Sequence, residues 1–123
     1  MKALLLDVME GKVETVDADG VEEFYKLLHC TTIDIVQRII GDRWYDIVCD
    51  DNGTFVEDPR ISAVDSKGQI MLVGNLLICG LADVDGVLTS LSEEDIEHIK
   101  ESIQKVKTVM HPEGLLMICR MGY

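Results

Sequence analysis

The chain has 123 residues, 47% of them hydrophobic, with 23 acidic side chains against 11 lysines and arginines and a formal net charge of −12. That hydrophobic fraction excludes a disordered chain, and the length suits one domain with a single modest core. The charge repels phosphate backbones and so argues against direct nucleic-acid binding; it is also uneven, with 14 acids and 5 bases in residues 1–58 but 9 and 6 in residues 59–123.

The opening apolar run, Ala3 to Leu6, is cut short by Asp7. It is too short for the apolar region of a signal peptide, and a cytoplasmic address is expected. Residues 3–8 and 12–17 read as strands joined through Met9-Glu10-Gly11; the second alternates, with Val13 and Thr15 on one face and Glu14 and Val16 on the other. Asp17-Ala18-Asp19-Gly20 is turn chemistry, and Asp19 is placed to cap a helix over residues 20–29. Phe24, Leu27 and Leu28 form the expected buried stripe of that helix, and Glu22, Glu23 and Lys26 its wet side.

Residues 33–40 and 43–50, rich in β-branched and aromatic side chains, predict a hairpin about Gly41-Asp42. In its second strand Tyr45, Ile47 and Cys49 share one face, and Trp44, Asp46, Val48 and Asp50 the other. Asp51-Asn52-Gly53 is the strongest short turn signal, because Asn-Gly adopts positive φ easily. After Pro59, a ladder breaker, residues 61–64 form a short strand and Asp65-Ser66-Lys67-Gly68 a turn.

The run from Ile70 to Cys79 has one polar side chain, Asn75. It is too short to span a membrane and reads as a strand buried on both faces, with Gly74-Asn75 marking a bulge or a close approach. Beyond an Asp-rich turn at residues 83–86, Ser92 starts a helix expected to run over residues 92–110. Leu91 and Ile96 stand at staple positions, Asp95 at the capping-box position, and Ile96, Ile99, Ile103, Val106 and Met110 make an apolar stripe. Pro112 and Gly114 stop it, and residues 115–119 read as a last strand that completes the sheet or pairs with a second subunit. The resulting prediction is one α+β domain over residues 1–123. It holds a mixed, mainly antiparallel sheet of five to seven strands with two helices packed on it.

No familiar catalytic or metal motif is present. Cys30, Cys49, Cys79 and Cys119 are widely spaced and are expected to be reduced core residues. Placing Gly20, Gly53 or Gly86 at position 6 of a calcium loop puts Lys26, Pro59 or Ser92 where a glutamate is required. His98 falls off the apolar stripe and is expected in solvent, His111 ends the helix, and the adjacent His29 and Cys30 point in different directions. No cofactor is implied.

The blocks Tyr45 to Gly53, Asp58 to Val64, Val73 to Gly80 and Leu88 to Ile96, with the Lys2 to Leu6 opening, resemble a family known as a domain of unknown function, DUF3846. The resemblance covers most of the chain up to about residue 100. It implies a bacterial, phage or mobile-element setting and assigns no catalytic residue.

Two binding readings and an uncharacterised enzyme remain. In the leading one, the chain is a non-enzymatic accessory protein of phage or mobile-element type. It binds a basic surface of a host or anti-phage defence protein through Glu22, Glu23, Asp50 and Asp51. The alternative is an oligomeric sponge sequestering a cyclic or phosphorylated nucleotide. Its anion-gripping group would be Arg38, Arg43, Trp44, Tyr45, Arg60 and Asn75, since arginines and aromatic rings hold phosphates and bases together.

Overall fold

A computed structural model of the chain describes residues 1–52, 59–106 and 116–123. The chain opens with the hairpin β1 (Lys2–Asp7) and β2 (Lys12–Asp17), followed by α1 (Val21–Leu28). A second hairpin, β3 (Ile33–Ile40) and β4 (Arg43–Asp50), pairs in full register from Ile33 opposite Asp50 to Ile40 opposite Arg43. Gly41 turns it at φ +66°, a conformation that costs glycine little. Next come β5 (Ile61–Val64), β6 (Ile70–Val73), β7 (Leu76–Cys79), α2 (Glu93–Lys100), β8 (Ile103–Val106) and β9 (Leu116–Arg120).

The α+β class predicted from the sequence holds, with two helices and nine strands among the described residues. The strands form two sheets instead of the one expected. A five-stranded sheet has the order β2-β1-β7-β4-β3, and a four-stranded sheet the order β6-β5-β9-β8. Among the described residues the pairings are antiparallel except that of β5 with β9.

The run at 70–79 is where the chain changes sheet. It is two strands rather than one: β6 is an edge of the four-stranded sheet and β7 the centre of the five-stranded one. Gly74, at φ +82°, makes the corner, and its amide donates to the Arg60 carbonyl at 2.8 Å. The expectation of burial on both faces holds for β7, whose four residues are all buried. Leu76 and Ile78 face one core, with Leu4, Leu6 and Ile47; Leu77 and Cys79 face the other, with Leu5, Val48, Phe24 and Leu28. The first core also contains Ala63, Met117 and Cys119 of the four-stranded sheet and Ile96 and Ile99 of α2. The five-stranded sheet is thus covered by α1 on one face and by the second sheet with α2 on the other.

Two helix expectations are corrected. The helix predicted over residues 92–110 ends at Lys100, and Ile103–Val106 pairs antiparallel with β9. A spacing of three and four fitted the helix, but an isoleucine and a valine bounding Gln104 and Lys105 suit an edge strand as well. The neighbouring β9 supplies the ladder that decides it. Met110, His111, Pro112, Gly114 and Leu115 lie outside the described residues, as does Gly53 of the Asn-Gly turn. At α1 the N-cap is Gly20 with no side-chain cap, because the Asp19 carboxylate accepts from the Met1 amino group at 2.6 Å instead.

The start of α2 follows the predicted chemistry. Ser92 and Asp95 close a reciprocal capping box, and Leu91 and Ile96 are both buried beside it.

Candidate functional site

The acidic candidates fall at the two ends of α1. Glu22 and Glu23 occupy its exposed first turn, where their charge complements the positive end of the helix. Asp50 and Asp51 lie near the other end, because β4 delivers them to the connection that follows α1. Asp51 donates its amide to the Thr32 carbonyl at 3.2 Å, and the Asp50 carboxylate accepts the Asn52 amide at 2.9 Å. The helix is eight residues, about 12 Å, long, with Glu22 and Glu23 in its first turn and the aspartates beyond its last.

The arginine and aromatic candidates are dispersed. Arg43 is held by α2: one guanidinium nitrogen lies 2.7 Å from a Glu94 carboxylate oxygen and another 3.3 Å from Asp95. The Glu94 bond keeps this guanidinium charged well above its ordinary range. The Tyr45 ring is buried and its hydroxyl donates to Asp95 at 3.2 Å. Burial, then the Asp95 charge, pushes the Tyr45 phenol up to about 12.

Asn75 is buried and its side chain bonds to the backbone of two distant segments. Its side-chain oxygen accepts the Val8 amide at 3.0 Å, and its amide group donates to the Leu27 carbonyl at 3.2 Å. Arg60 precedes β5 and accepts the Gly74 amide on its carbonyl. Trp44 is 44% exposed, opposite Ile39 in the hairpin. Arg38 pairs with Tyr45 and shares its face, one residue along from Ile39 and so on the face opposite Trp44. Its guanidinium carbon lies 4.7 Å from the centre of the Tyr123 ring.

Tyr123 had no visible signal in the sequence. It comes to Arg38 only because Gly122 pairs with Ile39, exchanging both backbone hydrogen bonds at 2.8 Å. That pairing also covers part of the free edge of β3. The Asp34 carboxylate accepts the Ile35 amide at 2.9 Å, and Arg38 donates to the Gln37 carbonyl at 2.9 Å, so further outward groups are taken.

His98 is not in solvent as expected. Its Nε2 lies 3.0 Å from the Ile40 carbonyl and 3.1 Å from the Asp42 carboxylate. Since both neighbours are acceptors, Nε2 carries the proton, and the ring fastens the β3–β4 turn to α2.

The Asp-rich turns spend their carboxylates on nearby amides. Asp65 accepts from Lys67 and Gln69, and Asp83 from Asp85 and Val87, all within 3.0 Å. Among the described residues, no group of three or more His, Cys, Asp or Glu side chains is arranged to hold a metal ion. All four cysteines are free thiols, and Cys49, Cys79 and Cys119 are buried. Burial pushes Cys79 and Cys119 up to about 12 and Cys49 up to about 11, the reverse of what an attacking thiolate requires. Among the described residues, no helix is long and apolar enough to cross a membrane.

The structure adds an apolar surface that sequence reasoning missed. Val21 is 47% exposed, Ile35 48% and Val87 60%, and they converge on one cleft of about 290 Å³ beside the first turn of α1. They come from a helix, a strand and a loop, so no spacing rule links them.

A family model described as a domain of unknown function (DUF3846) matches residues 1–104. No curated protein and no solved structure matches the chain.

Proposed function

The chain belongs to that DUF3846 family of unknown function, and from this premise we propose that it is a non-catalytic binding protein whose acidic surface takes a basic partner protein. The observation that carries the reading is the α1 side of the five-stranded sheet. Glu22 and Glu23 at the start of the helix and Asp51 beyond its end are exposed, with Asp50 half-buried beside Asp51. Arg43 is already neutralised by Glu94 and Asp95 at the opposite helix, so it does not offset this surface. Exposed acids of this kind give long-range attraction and orientation more than raw affinity. The proposal extends to the partner: a basic surface on a host or anti-phage defence protein, as expected for an accessory protein of a phage or mobile element.

Affinity capture from bacterial lysate, with partners identified by mass, tests this. The wild-type chain should retain a basic protein at low salt and lose it progressively toward 0.5 M salt. A variant with Glu22, Glu23, Asp50 and Asp51 all changed to lysine should retain much less. Equal retention by both proteins would overturn the reading.

For the nucleotide-sponge reading the supporting contact is Arg38 against Tyr123, whereas Arg43, Tyr45 and Asn75 are engaged in internal bonds. A thermal shift with cyclic or linear nucleotides that disappears in Arg38→Ala, with no basic protein captured, would put the sponge in its place.

A further inference from the structure

We infer that the cleft beside the first turn of α1 receives an apolar anchor side chain from a basic segment of the partner. The inference rests on the acidic-surface reading and gives it a specific point of attachment. α1 lines the cleft as one wall through Val21 and Phe24, and Ile35 of β3 and the loop residues Val87 and Leu88 line it as well. Its volume, about 290 Å³, holds a side chain or two and is small for a cofactor. Phe24 is buried and ties this wall to the core, whereas Val21, Ile35 and Val87 leave much of their surface in water. Three such side chains converging on one concavity are worth more to a ligand than the same residues scattered singly.

Charge selects the occupant. Val21 is preceded in the chain by Asp19 and followed by Glu22 and Glu23, and Val87 is preceded by Asp83 and Asp85, all of them exposed. None of the described residues lining the cleft is Lys or Arg, and the Met1 amino group there is already bonded to Asp17 and Asp19. A second copy of this chain, at a net charge of −12, would meet like charge. A segment with Lys or Arg around Leu, Ile, Phe or Met fits both the apolar floor and the acidic surroundings. It enters by its side chains, because the neighbouring β3 edge is partly occupied by Asp34, Arg38 and Gly122 and offers little room for an added strand.

Two fluorescent synthetic peptides test the inference with the full chain. They carry equal numbers of lysines; one has leucines at helical spacing and the other has serines in their place. Anisotropy should show the leucine peptide binding at least tenfold tighter. Val87→Ser and Ile35→Ser should remove that advantage while leaving the serine peptide's binding unchanged. Val87 is a loop residue, so its variant isolates the cleft even if Ile35→Ser weakens the fold. Equal binding of the two peptides would overturn the cleft and leave the acidic surface standing. Failure of both to bind at low salt would remove the acidic-surface reading as well. Concentration-dependent dimerisation abolished by Val87→Ser would show that a second copy occupies the cleft, and would overturn the inference.

Discussion

The side-chain oxygen of Asn75 accepts the backbone amide of Val8 at 3.0 Å, across 67 residues of sequence. The bond holds the end of β1 at the corner where the chain leaves one sheet for the other. The same side chain reaches the Leu27 carbonyl in the last turn of α1, so one buried amide joins a strand end, a helix and a sheet switch.

Asn75→Ala strands the buried Val8 amide and the partly buried Leu27 carbonyl. Leaving a buried polar group unpaired costs about 1–3 kcal/mol, so a loss of about 2–4 kcal/mol is expected in urea unfolding. Asn75→Asp keeps the acceptor but loses the donor and buries a charge, and it should also destabilise. Unchanged unfolding midpoints for both variants would contradict the assignment.

Gly41→Ala is expected to destabilise through its neighbour as well as its backbone. A β-carbon there would stand 2.6 Å from His98 Nε2, at φ +66°. The left-handed conformation alone costs a non-glycine residue about 1–2 kcal/mol. The combination Gly41→Ala with His98→Ala should relieve the steric part. Thermal unfolding of both single variants and the double variant measures the coupling.

Asp95 titrates low. Burial alone would raise its pKa, but hydrogen bonds from the Ser92 backbone and hydroxyl, then from Tyr45 and Arg43, outweigh this. A carboxylate whose pKa is lower folded than unfolded adds stability above the unfolded value, about 3.9. That stability disappears as pH falls through the folded value. Asp95→Asn leaves the Ser92 cap but removes the charged acceptor of Ser92, Tyr45 and Arg43, and should cost about 1 kcal/mol at neutral pH. It should also flatten the fall in stability below about pH 4. An acid-unfolding curve that keeps the wild-type slope would contradict this.

The thiols should react in a fixed order. Cys30 is the one cysteine not buried, and Cys79 and Cys119 are both buried with pKa pushed up to about 12. With iodoacetamide at pH 8, intact mass should show Cys30 modified first and the other three protected until denaturant is added. Equal rates at all four sites in native protein would count against the buried positions.

The sequence by itself determined whatever depends on neighbours along the chain. The β3–β4 hairpin followed from two β-branched runs about Gly41-Asp42, the α2 start from Ser92 and Asp95, and the Asp65 and Asp83 turns from carboxylates within reach of nearby amides. Each is settled by bonds spanning a few residues, where residue type and spacing are sufficient. Tertiary structure decided the rest. Residues 103–106 fitted a helix equally well until β9 offered them a ladder. The run at 70–79 read as one strand because apolar composition does not record which sheet a residue joins. The same limit applied to function: Glu22 and Glu23 were legible as exposed acids from helix periodicity, but Val21, Ile35 and Val87 met only through long-range packing. Packing between segments distant in sequence depends on the whole set of competing pairings, which local composition does not encode.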